Sequence, residues 1–333
     1  MTKFLTSKKI LITGGAGFIG ANFLYQVANS DNQFLVIDKL SYAGSLENIQ
    51  RAIELENVEF CQLDIADKNR THSIILDFQP DYIFHFAAES HVDNSIAGPE
   101  VFIQSNILGT FNLLECARSL QHFECFFHIS TDEVFGELEV SEYFVESTAY
   151  DPHSPYSATK AASDHLVRAW GRTYGLPYII TNCSNNYGPY QHLEKLIPVV
   201  ISKGLLGMPI PVYGNGQNER DWLFVDDHVS ALVALAKNKR YFGSYNIGGD
   251  NVLTNNILVR KVCEKLDKLQ PRDYQYSSLI EYVVDRPGHD LRYAIDSSKL
   301  QEHTGWKPKV QIDDGLERTI QWYLQHLINH ESD

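Results

Sequence analysis

Short apolar runs alternate with longer segments of helical spacing along the first half of the chain. The run Ile10–Thr13 leads into a glycine turn, and the next segment, ANFLYQVANS, carries apolar residues three and four apart. Four more apolar runs follow, separated by polar or helical stretches: FLVID, VEFCQLDI, YIFHFAAES and CFFHIS. Repeated strand and helix signals of this kind predict an α/β fold with a doubly wound parallel sheet.

The strict alternation ends near Asn185, after the strand YIITNCSNNYG. Beyond it the pattern predicts a helix at 194–207, a short strand at 210–214, a strand and helix at 221–238, a helix from about Asn255 and a last amphipathic helix from about Asp313 to Leu327. A chain of 333 residues exceeds the usual size of one domain. We therefore expect a first domain at 1–184, to which the chain returns near 221–248, and a smaller C-terminal α/β lobe at 185–333.

The turn that ends the first strand has a spacing typical of dinucleotide sites. Gly14, Gly17 and Gly20 lie three residues apart, which leaves no side chains where a backbone must approach a pyrophosphate at a helix N-terminus. The second strand ends in Asp38, where a carboxylate can accept a hydrogen bond from a ribose hydroxyl. Asp38 favours NAD over NADP because it would repel a 2′-phosphate, although Lys39 works against that preference. A purely structural βαβ turn is the alternative.

Two further strand ends can line the same cleft. The strand VEFCQLDI leads to Asp64, which either contacts an adenine or merely closes a turn. The strand after it ends in small and polar residues that leave space or offer polar groups, namely Ala87, Ala88, Glu89, Ser90 and His91. A long apolar helix from about Pro99 to Ser119 is predicted to be buried on more than one side.

The candidate chemistry lies at the next strand end and on the helix after it. Thr131–Asp132–Glu133 follow CFFHIS, and a helix beginning at Pro155 carries Tyr156 and Lys160 on one face. A phenol of usual pKa about 10 acts as a base near neutral pH only if cations such as Lys160 and an oxidised nicotinamide stabilise its anion. Tyr156 can then deprotonate an alcohol while hydride leaves the same carbon. Two adjacent carboxyl groups suit removal of water, one as acid and one as base. The alternatives are a turn at the triplet and a packing tyrosine.

Composition argues against several other functions. A formal net charge of −14 disfavours nucleic-acid binding, and no apolar run approaches the roughly 18 residues of a membrane span. Thirteen histidines show no H-E-x-x-H pair and five cysteines no C-x-x-C spacing, so we expect no metal and reduced cysteines. The first strand signal begins close to the N-terminus, from which we expect no signal peptide and a cytoplasmic location.

An anionic ligand of such an acidic chain requires local basic groups. Lys195, Arg220 and Arg286 are the candidates. Arg286–Pro287–Gly288 places one of them on a rigid turn suited to binding a phosphate, with a plain surface turn as the alternative.

Several stretches together resemble the dTDP-glucose 4,6-dehydratases, a group of extended short-chain dehydrogenases/reductases with a Rossmann sheet. They are GGAGFIG, DKLSYAG, AAESHVDNSI, STDEVFGE, SPYSATKAASDHLVRAW, NCSNNYGPY, EKLIP, ERDW, YNIGG and DRPGHDLRYAID. The resemblance runs from about Lys9 to Tyr323, and the Thr-Asp-Glu triplet separates these dehydratases from related nucleotide-sugar epimerases. It implies a lyase that dehydrates dTDP-glucose to dTDP-4-keto-6-deoxyglucose with NAD as cofactor. It also implies a homodimer formed by the helices around 99–119 and 156–174.

The resemblance assigns a role to each candidate catalytic residue. Tyr156 would take the proton of the glucose 4-hydroxyl, with Lys160 lowering its pKa and holding the nicotinamide ribose. Glu133 would take the C5 proton, Asp132 would protonate the departing C6 hydroxyl, and hydride would return to C6. Thr131 would hydrogen-bond near the 4-oxygen.

Together with the glycine turn, the resemblance implies two sets of binding residues. The cofactor set is Gly14, Gly17, Phe18, Ile19, Gly20, Asp38, Lys39, Leu40, Ser41, Asp64, Ile65, Ala87, Ala88, Glu89, Ser90, His91, Ser105, Tyr156, Lys160 and Asn186. The nucleotide-sugar set is Ser90, Thr131, Asn185, Lys195, Leu196, Pro211, Val212, Tyr213, Arg220, Asn255, Asp285, Arg286, Pro287, Gly288 and His289. Ser105 stands where the family often has threonine, and the hydroxyl is retained.

Three other functions stay open on the sequence. A nucleotide-sugar 4-epimerase shares the glycine turn, Tyr156 and Lys160 but has no evident use for Asp132 and Glu133. A UDP- or CDP-glucose 4,6-dehydratase differs only in the nucleoside that it binds, uridine or cytidine in place of thymidine. A non-catalytic NAD-binding regulator needs none of these catalytic groups.

Overall fold

Parallel strands form the central sheet of the protein, whose structure is a computed structural model that describes residues 4–139, 141–238 and 242–329. The strands are β1 (Lys9–Thr13), β2 (Gln33–Asp38), β3 (Val58–Gln62), β4 (Tyr82–His85), β5 (Cys125–Thr131), β6 (Tyr178–Cys183), β7 (Asn185–Tyr187), β8 (Ile210–Tyr213), β9 (Glu219–Phe224), β10 (Gly243–Ile247), β11 (Val252–Thr254) and β12 (Ile280–Val283). The helices are α1 (Phe18–Val27), α2 (Gln50–Ile53), α3 (Lys68–Phe78), α4 (Val92–Ala97), α5 (Glu100–Phe102), α6 (Thr110–Ser119), α7 (Pro155–Tyr174), α8 (Leu196–Leu205), α9 (Val225–Lys237), α10 (Asn255–Leu269), α11 (Ser298–Thr304) and α12 (Ile312–Asn329).

The central sheet has seven strands within the described ranges, all parallel, in the order β10–β6–β5–β4–β1–β2–β3. Successive side chains of a strand point to opposite faces. Ile10 and Val36 therefore pack in the layer of α1 and α9, whereas Leu11 and Leu35 pack in the layer of α3, α6 and α7. Helices on both faces of a parallel sheet confirm the predicted doubly wound α/β class.

A second hydrophobic core forms beyond β6. β7, β9 and β11 make a three-stranded sheet and β8 pairs in parallel with β12; α8, α10 and α12 pack against them around Tyr187, Leu258 and Tyr323. The predicted return to the central sheet is made by α9, which packs on α1, and by β10, which pairs with β6. β9 does not join the central sheet, contrary to the prediction. The chain leaves that sheet directly after β6, and β9 pairs with β7 instead.

The predicted helix from about Pro99 to Ser119 contains a π-helical segment at Ile103–Gly109, between α5 and α6. Asn106 in this segment is buried, and its side chain binds both the backbone nitrogen of Glu89 at 2.9 Å and the backbone oxygen of Glu89 at 3.0 Å. Gly109 passes so close to Ile65 that a Cβ would lie 2.7 Å from its Cδ1. The wider turn thus joins the helix to the loop after β4. Apolar periodicity carries no signal for a turn of this kind.

No helix among the described residues is long and apolar enough to cross a membrane. The five cysteines are free thiols, and four of them are buried. Cys125 in β5 packs as a small apolar residue, whereas the Sγ of Cys183 in β6 donates to the oxygen of Ser130 at 3.2 Å.

A buried histidine between the two cores makes stability depend on pH. His228 on α9 has no exposed surface, and its Nδ1 lies 2.8 Å from the Oδ1 of Asn186. Burial lowers the pKa of His228 from 6.5 to about 3. The unfolded chain therefore takes up this proton at a higher pH than the folded protein does. The stability that goes with neutral His228 is present above pH 6.5 and is lost as the pH falls toward the folded pKa.

We expect this one group to lower the free energy of unfolding by about 2 kcal/mol between pH 6.5 and roughly pH 5. Urea titrations of the native protein and of His228→Gln at both pH values measure the effect. Glutamine keeps an amide that can donate to Asn186 but takes up no proton, so the variant should lose about 2 kcal/mol less than the native protein. Equal losses in both proteins would contradict the assignment to His228.

Candidate active site

The glycine turn between β1 and α1 brings backbone segments closer together than side chains would allow. A Cβ on Gly14 would lie 2.5 Å from the nitrogen of Ala87, and one on Gly20 would lie 2.3 Å from the oxygen of Gly14. Gly14 also has a φ of +69°, which favours glycine. Gly17 precedes α1 without a side-chain cap, so the first N–H groups of the helix are available to an anion. The turn fits the pyrophosphate of a dinucleotide.

A cavity of about 280 Å³ opens at the carboxyl ends of the central strands, over this turn. The predicted cofactor residues that line it are Gly14, Gly17, Phe18, Ile19, Gly20, Asp38, Lys39, Ser41, Asp64, Ile65, Ala87, Ala88, Ser90, Ser105, Tyr156, Lys160 and Asn186. Thr131, Asp132, Glu133, Asn185 and Lys195 line the same cavity. One cavity therefore joins the glycine turn to the candidate catalytic groups.

Three residues of the predicted cofactor set do not line this cavity. Leu40 has a φ of +55° and packs against the core of the α1 layer. Glu89 is buried, with its carboxylate turned toward Lys39. His91 precedes α4, and its Nε2 lies 4.0 Å from a carboxylate oxygen of Glu194.

The two predicted adenosine-side carboxylates are already bonded to backbone. Asp38 accepts from the N–H groups of Ala16 at 3.0 Å and Leu40 at 2.9 Å, one on each oxygen. Burial raises the pKa of Asp38, while these two hydrogen bonds act against the rise. Asp64 accepts from the N–H of Ala66 at 2.9 Å and also lines the cavity. Each carboxylate oxygen keeps a second lone pair for a ligand hydroxyl, so Asp64 closes a turn and remains available to the cofactor.

The candidate catalytic triplet, Thr131–Asp132–Glu133, lies where β5 ends in a 3-10 turn over Asp132–Phe135. Thr131 starts the turn, with its Oγ1 accepting from the N–H of Glu133 at 3.3 Å. Val134 and Phe135 anchor it in a hydrophobic cluster, while Asp132 and Glu133 line the cavity. Packing of the last two residues thus fixes the carboxyl groups of the first two.

The surroundings of the two carboxyl groups separate their protonation states. Burial first, and then the charge of Glu133, raise the pKa of Asp132 well above its usual value. Burial also raises the pKa of Glu133, but the charges of Arg286, Arg220 and Lys195 act against the rise. Asp132 is therefore the group that stays protonated and Glu133 the one that ionises first. Within the described part of the chain, the Oδ2 of Asp132 is buried without a hydrogen-bond partner, so it is available to a substrate hydroxyl.

Tyr156 and Lys160 are both buried on α7 and line the cavity. A capping box between Ser154 and Ser157 fixes the first turn of this helix. Lys160 Nζ donates to the oxygen of Ile129 at 2.7 Å, and burial lowers the pKa of Lys160 to about 8. Burial and the charge of Glu133 raise the pKa of Tyr156. The lowering implied by the resemblance therefore needs a further positive charge, which an oxidised nicotinamide carries.

Three basic side chains act on Glu133 and supply the local positive charge that an acidic chain needs. Lys195 Nζ donates to the oxygen of Ser90 at 3.0 Å. Arg220 lies 4.2 Å from the ring of Tyr293 and is buried. Arg286 lies 3.7 Å from a carboxylate oxygen of Asp93. Guanidinium and ammonium groups gathered in this way suit a diphosphate.

The rest of the predicted nucleotide-sugar set lies outside the cavity, most of it at the carboxyl ends of β8 and β12. Tyr213 pairs with Val283, which brings 211–213 beside 285–289. The hydroxyl of Tyr213 donates to Asp93 at 3.0 Å. The members are Pro211, Val212, Tyr213, Asp285, Arg286, Pro287, Gly288 and His289, with Leu196 at the start of α8, Arg220 in β9 and Asn255 at the start of α10. Arg286 links this group to Glu133 through its charge.

The cavity also has lining residues that the sequence did not indicate. Ala43 and Gly44 come from the loop after β2, and Gln191, His192 and Glu194 come from the loop after β7. Their only sequence signal is a position in loops that follow strand ends. No group of three or more histidine, cysteine, aspartate or glutamate side chains in the described ranges is placed to hold a metal ion.

Comparison with known proteins identifies the family. Residues 11–319 match the family model described as GDP-mannose 4,6 dehydratase. The chain belongs to this family. It is 49% identical over 335 residues to the dTDP-glucose 4,6-dehydratase of Salmonella typhimurium, covering 95% of this chain and 92% of that one. It is 48% identical over 326 residues to a probable dTDP-glucose 4,6-dehydratase of Sinorhizobium fredii, covering 96% and 93%.

Solved structures of dehydratases and epimerases are also similar to this chain. The dTDP-glucose 4,6-dehydratase DesIV of Streptomyces venezuelae, with NAD bound, has a TM-score of 0.89 at 41% identity, covering 95% of this chain and 97% of that one. A Thermus thermophilus UDP-glucose 4-epimerase in complex with NAD has a TM-score of 0.85 at 30% identity, covering 95% and 99%. The predicted resemblance and the Rossmann fold are confirmed.

Proposed function

We propose that this chain is an NAD-dependent dTDP-glucose 4,6-dehydratase, a hydro-lyase that forms dTDP-4-keto-6-deoxyglucose. The observation that carries the proposal is the pair Asp132 and Glu133, which shares one cavity with Tyr156. A reaction confined to oxidation or epimerisation at C4 does not require such a pair of carboxyl groups. The dehydratase relatives are 48% and 49% identical to the chain, against 30% for the epimerase, which supports dehydration over epimerisation.

The chain's own residues fit an NAD cofactor. The glycine turn offers free helix N–H groups to the pyrophosphate, and Asp38 offers a carboxylate to the adenosine ribose. Lys160, at the other end of the cavity, would hold the nicotinamide ribose. When bound, NAD+ accepts hydride from C4 of the sugar and supplies it again at C6.

Tyr156 removes the proton of the 4-hydroxyl in the first step. Thr131 ends β5 beside it, and its hydroxyl can hydrogen-bond the 4-oxygen as a carbonyl forms. The charge of Lys160 stabilises the phenolate. The carbonyl at C4 then makes the hydrogen on C5 acidic, which prepares the second step.

Glu133 and Asp132 remove water in the second step. Glu133 takes the C5 proton, and the electron pair left on C5 forms the double bond to C6 as the hydroxyl departs. Glu133 gives a proton back to C5 when hydride is returned to C6. Asp132, kept protonated by burial and by the charge of Glu133, gives its proton to that hydroxyl, which leaves as water. Lys195, Arg220 and Arg286 hold the diphosphate.

The fate of one hydrogen tests this function. Substrate deuterated at C4 should give a 4-keto-6-deoxy product with that deuterium at C6, transferred within one molecule. In deuterated water, unlabelled substrate should gain one deuterium at C5, where Glu133 exchanges its proton. NMR and mass spectrometry of the product read both positions. Deuterium found at C4 of a 4-epimer, with no loss of water, would overturn the dehydratase in favour of an epimerase, and no reaction would favour a regulator.

The division into a domain at 1–184 and a nucleotide-sugar lobe at 185–333, a cytoplasmic location and a homodimer belong to the same proposal. Two hydrophobic cores support the division, and free cysteines suit a reducing compartment. Apolar side chains on α4 to α7 support the dimer, because Ile96, Val101, Ile103 and Tyr174 are between 42% and 50% exposed.

Charges in this apolar face should separate the subunits. We expect the variant Val101→Glu/Ile103→Glu to run as a monomer at micromolar concentration, because two buried carboxylates per subunit would oppose association. Light scattering after gel filtration measures the mass. Leu206→Glu, at a residue 62% exposed on the other lobe, is the control and should stay dimeric. A native protein that is already monomeric would contradict the dimer.

A further inference from the structure

Lys39 is a cation at the position where NADP-binding proteins place one. It follows Asp38 at the end of β2 and lines the cavity. In Rossmann sheets an acidic residue here binds the ribose of NAD, whereas a nearby basic side chain accommodates the 2′-phosphate of NADP. The chain therefore carries both signals next to each other, and Lys39 needs a reason not to attract the phosphate.

The structure supplies that reason in the buried side chain of Glu89. Lys39 Nζ lies 2.6 Å from Oε1 of Glu89 and donates to the Oγ of Ser105 at 2.8 Å. The carboxylate side chain of Glu89 is 5% exposed and that of Lys39 26% exposed. A buried carboxylate in contact with the ammonium group cancels its charge far more effectively than solvent does.

Glu89 is held in place from the helix side. Both backbone groups of Glu89 bind the side chain of Asn106, which lies in the same π-helical segment as Ser105. The segment thus fixes the carboxylate through the Glu89 backbone and directs the Ser105 hydroxyl at the same ammonium group. Both partners of Lys39 are thus tied to the π-helical segment, Ser105 as a member of it and Glu89 through Asn106.

We propose that Glu89 is a cofactor-specificity residue, which neutralises Lys39 and so makes the site select a dinucleotide with a free 2′-hydroxyl. The inference rests on the proposed NAD site and deepens it. With Glu89, the three groups Asp38, Lys39 and Glu89 carry a net charge of −1 and repel a 2′-phosphate. Without the Glu89 charge, they carry none, and Lys39 is released toward the cavity.

Competition between the two nucleotides tests this. Purified full-length protein is incubated with equal concentrations of NAD+ and NADP+ and desalted, and the retained nucleotides are quantified by mass spectrometry. The native protein should retain NAD+. Glu89→Gln, which keeps the shape, should raise the retained ratio of NADP+ to NAD+ by about 10-fold, the size expected for one close charge interaction.

The double variant Lys39→Met/Glu89→Gln is the matched control, because it restores the net charge of −1 without the ammonium group. Its ratio should return to within roughly twofold of the native value if Lys39 is the group that Glu89 neutralises. An unchanged ratio in a Glu89→Gln protein that still retains NAD+ would overturn the proposal, and so would an equal rise in the double variant. Retention of neither nucleotide by the native protein would overturn the NAD site itself, and this inference with it.

Discussion

Replacing Tyr156 with phenylalanine should lower kcat for dTDP-glucose by about 10³-fold, within the range for loss of a general base. The buried phenol lines the cavity and is the base that we propose for the 4-hydroxyl proton, and phenylalanine keeps its packing against Phe102. Steady-state formation of the 4-keto-6-deoxy product measures the loss. Because C5 becomes acidic only after C4 is oxidised, deuterium uptake at C5 from solvent should be lost in parallel.

Tyr174→Phe is the control for this variant. Tyr174 is 50% exposed at the end of the same helix, so removal of its hydroxyl should leave kcat within roughly twofold of native. A folded Tyr156→Phe protein that still exchanges C5 at the native rate would show that another group takes the first proton.

Glu133→Gln should lower kcat by about 10²-fold or more while nucleotide-sugar binding stays largely intact. Glutamine keeps the shape of the side chain but cannot accept the C5 proton. Oxidation at C4 should survive, so the 4-ketoglucose nucleotide should accumulate on the protein and be trapped by borodeuteride as a labelled hexose. Exchange of C5 with deuterated water should disappear.

One control variant and one variant of the other carboxyl group complete this test. Glu142→Gln changes an exposed glutamate downstream of the same turn and should leave activity unaltered. Asp132→Asn removes the acid but not the base, so C5 exchange should continue while water is retained at C6. A Glu133→Gln protein that forms no trapped ketone would assign Glu133 to the first step instead.

The sequence predicts the central sheet well because its strands are short apolar runs and its helices carry apolar residues three and four apart. The glycine turn is equally visible because its three-residue spacing is a local pattern, although the contact that excludes a side chain at Gly14 is with the distant Ala87. Thr131–Glu133 are foreseeable as cavity residues because parallel strands expose their carboxyl ends at one edge of the sheet.

What the sequence does not reveal depends on contacts between distant segments. β9 pairs with β7 rather than with the central sheet, and this pairing joins segments more than 30 residues apart. The difference between the pKa values of Asp132 and Glu133 depends on the charges of Arg220 and Arg286. These two residues belong to β9 and to the loop after β12. The ion pair of Lys39 with Glu89 likewise joins two strand ends. Local sequence patterns carry no information on contacts between residues that are distant in the sequence.

The strand β10 also has a consequence for how the protein is made. It covers the edge of β6, yet it leaves the ribosome only after the whole of β7, β8, β9 and α9 has been synthesised. Until then the backbone groups of β6 form an open edge that a neighbouring chain can pair with. The nascent chain is thus exposed to aggregation until β10 has been synthesised, and a fragment ending at residue 184 keeps that edge open permanently.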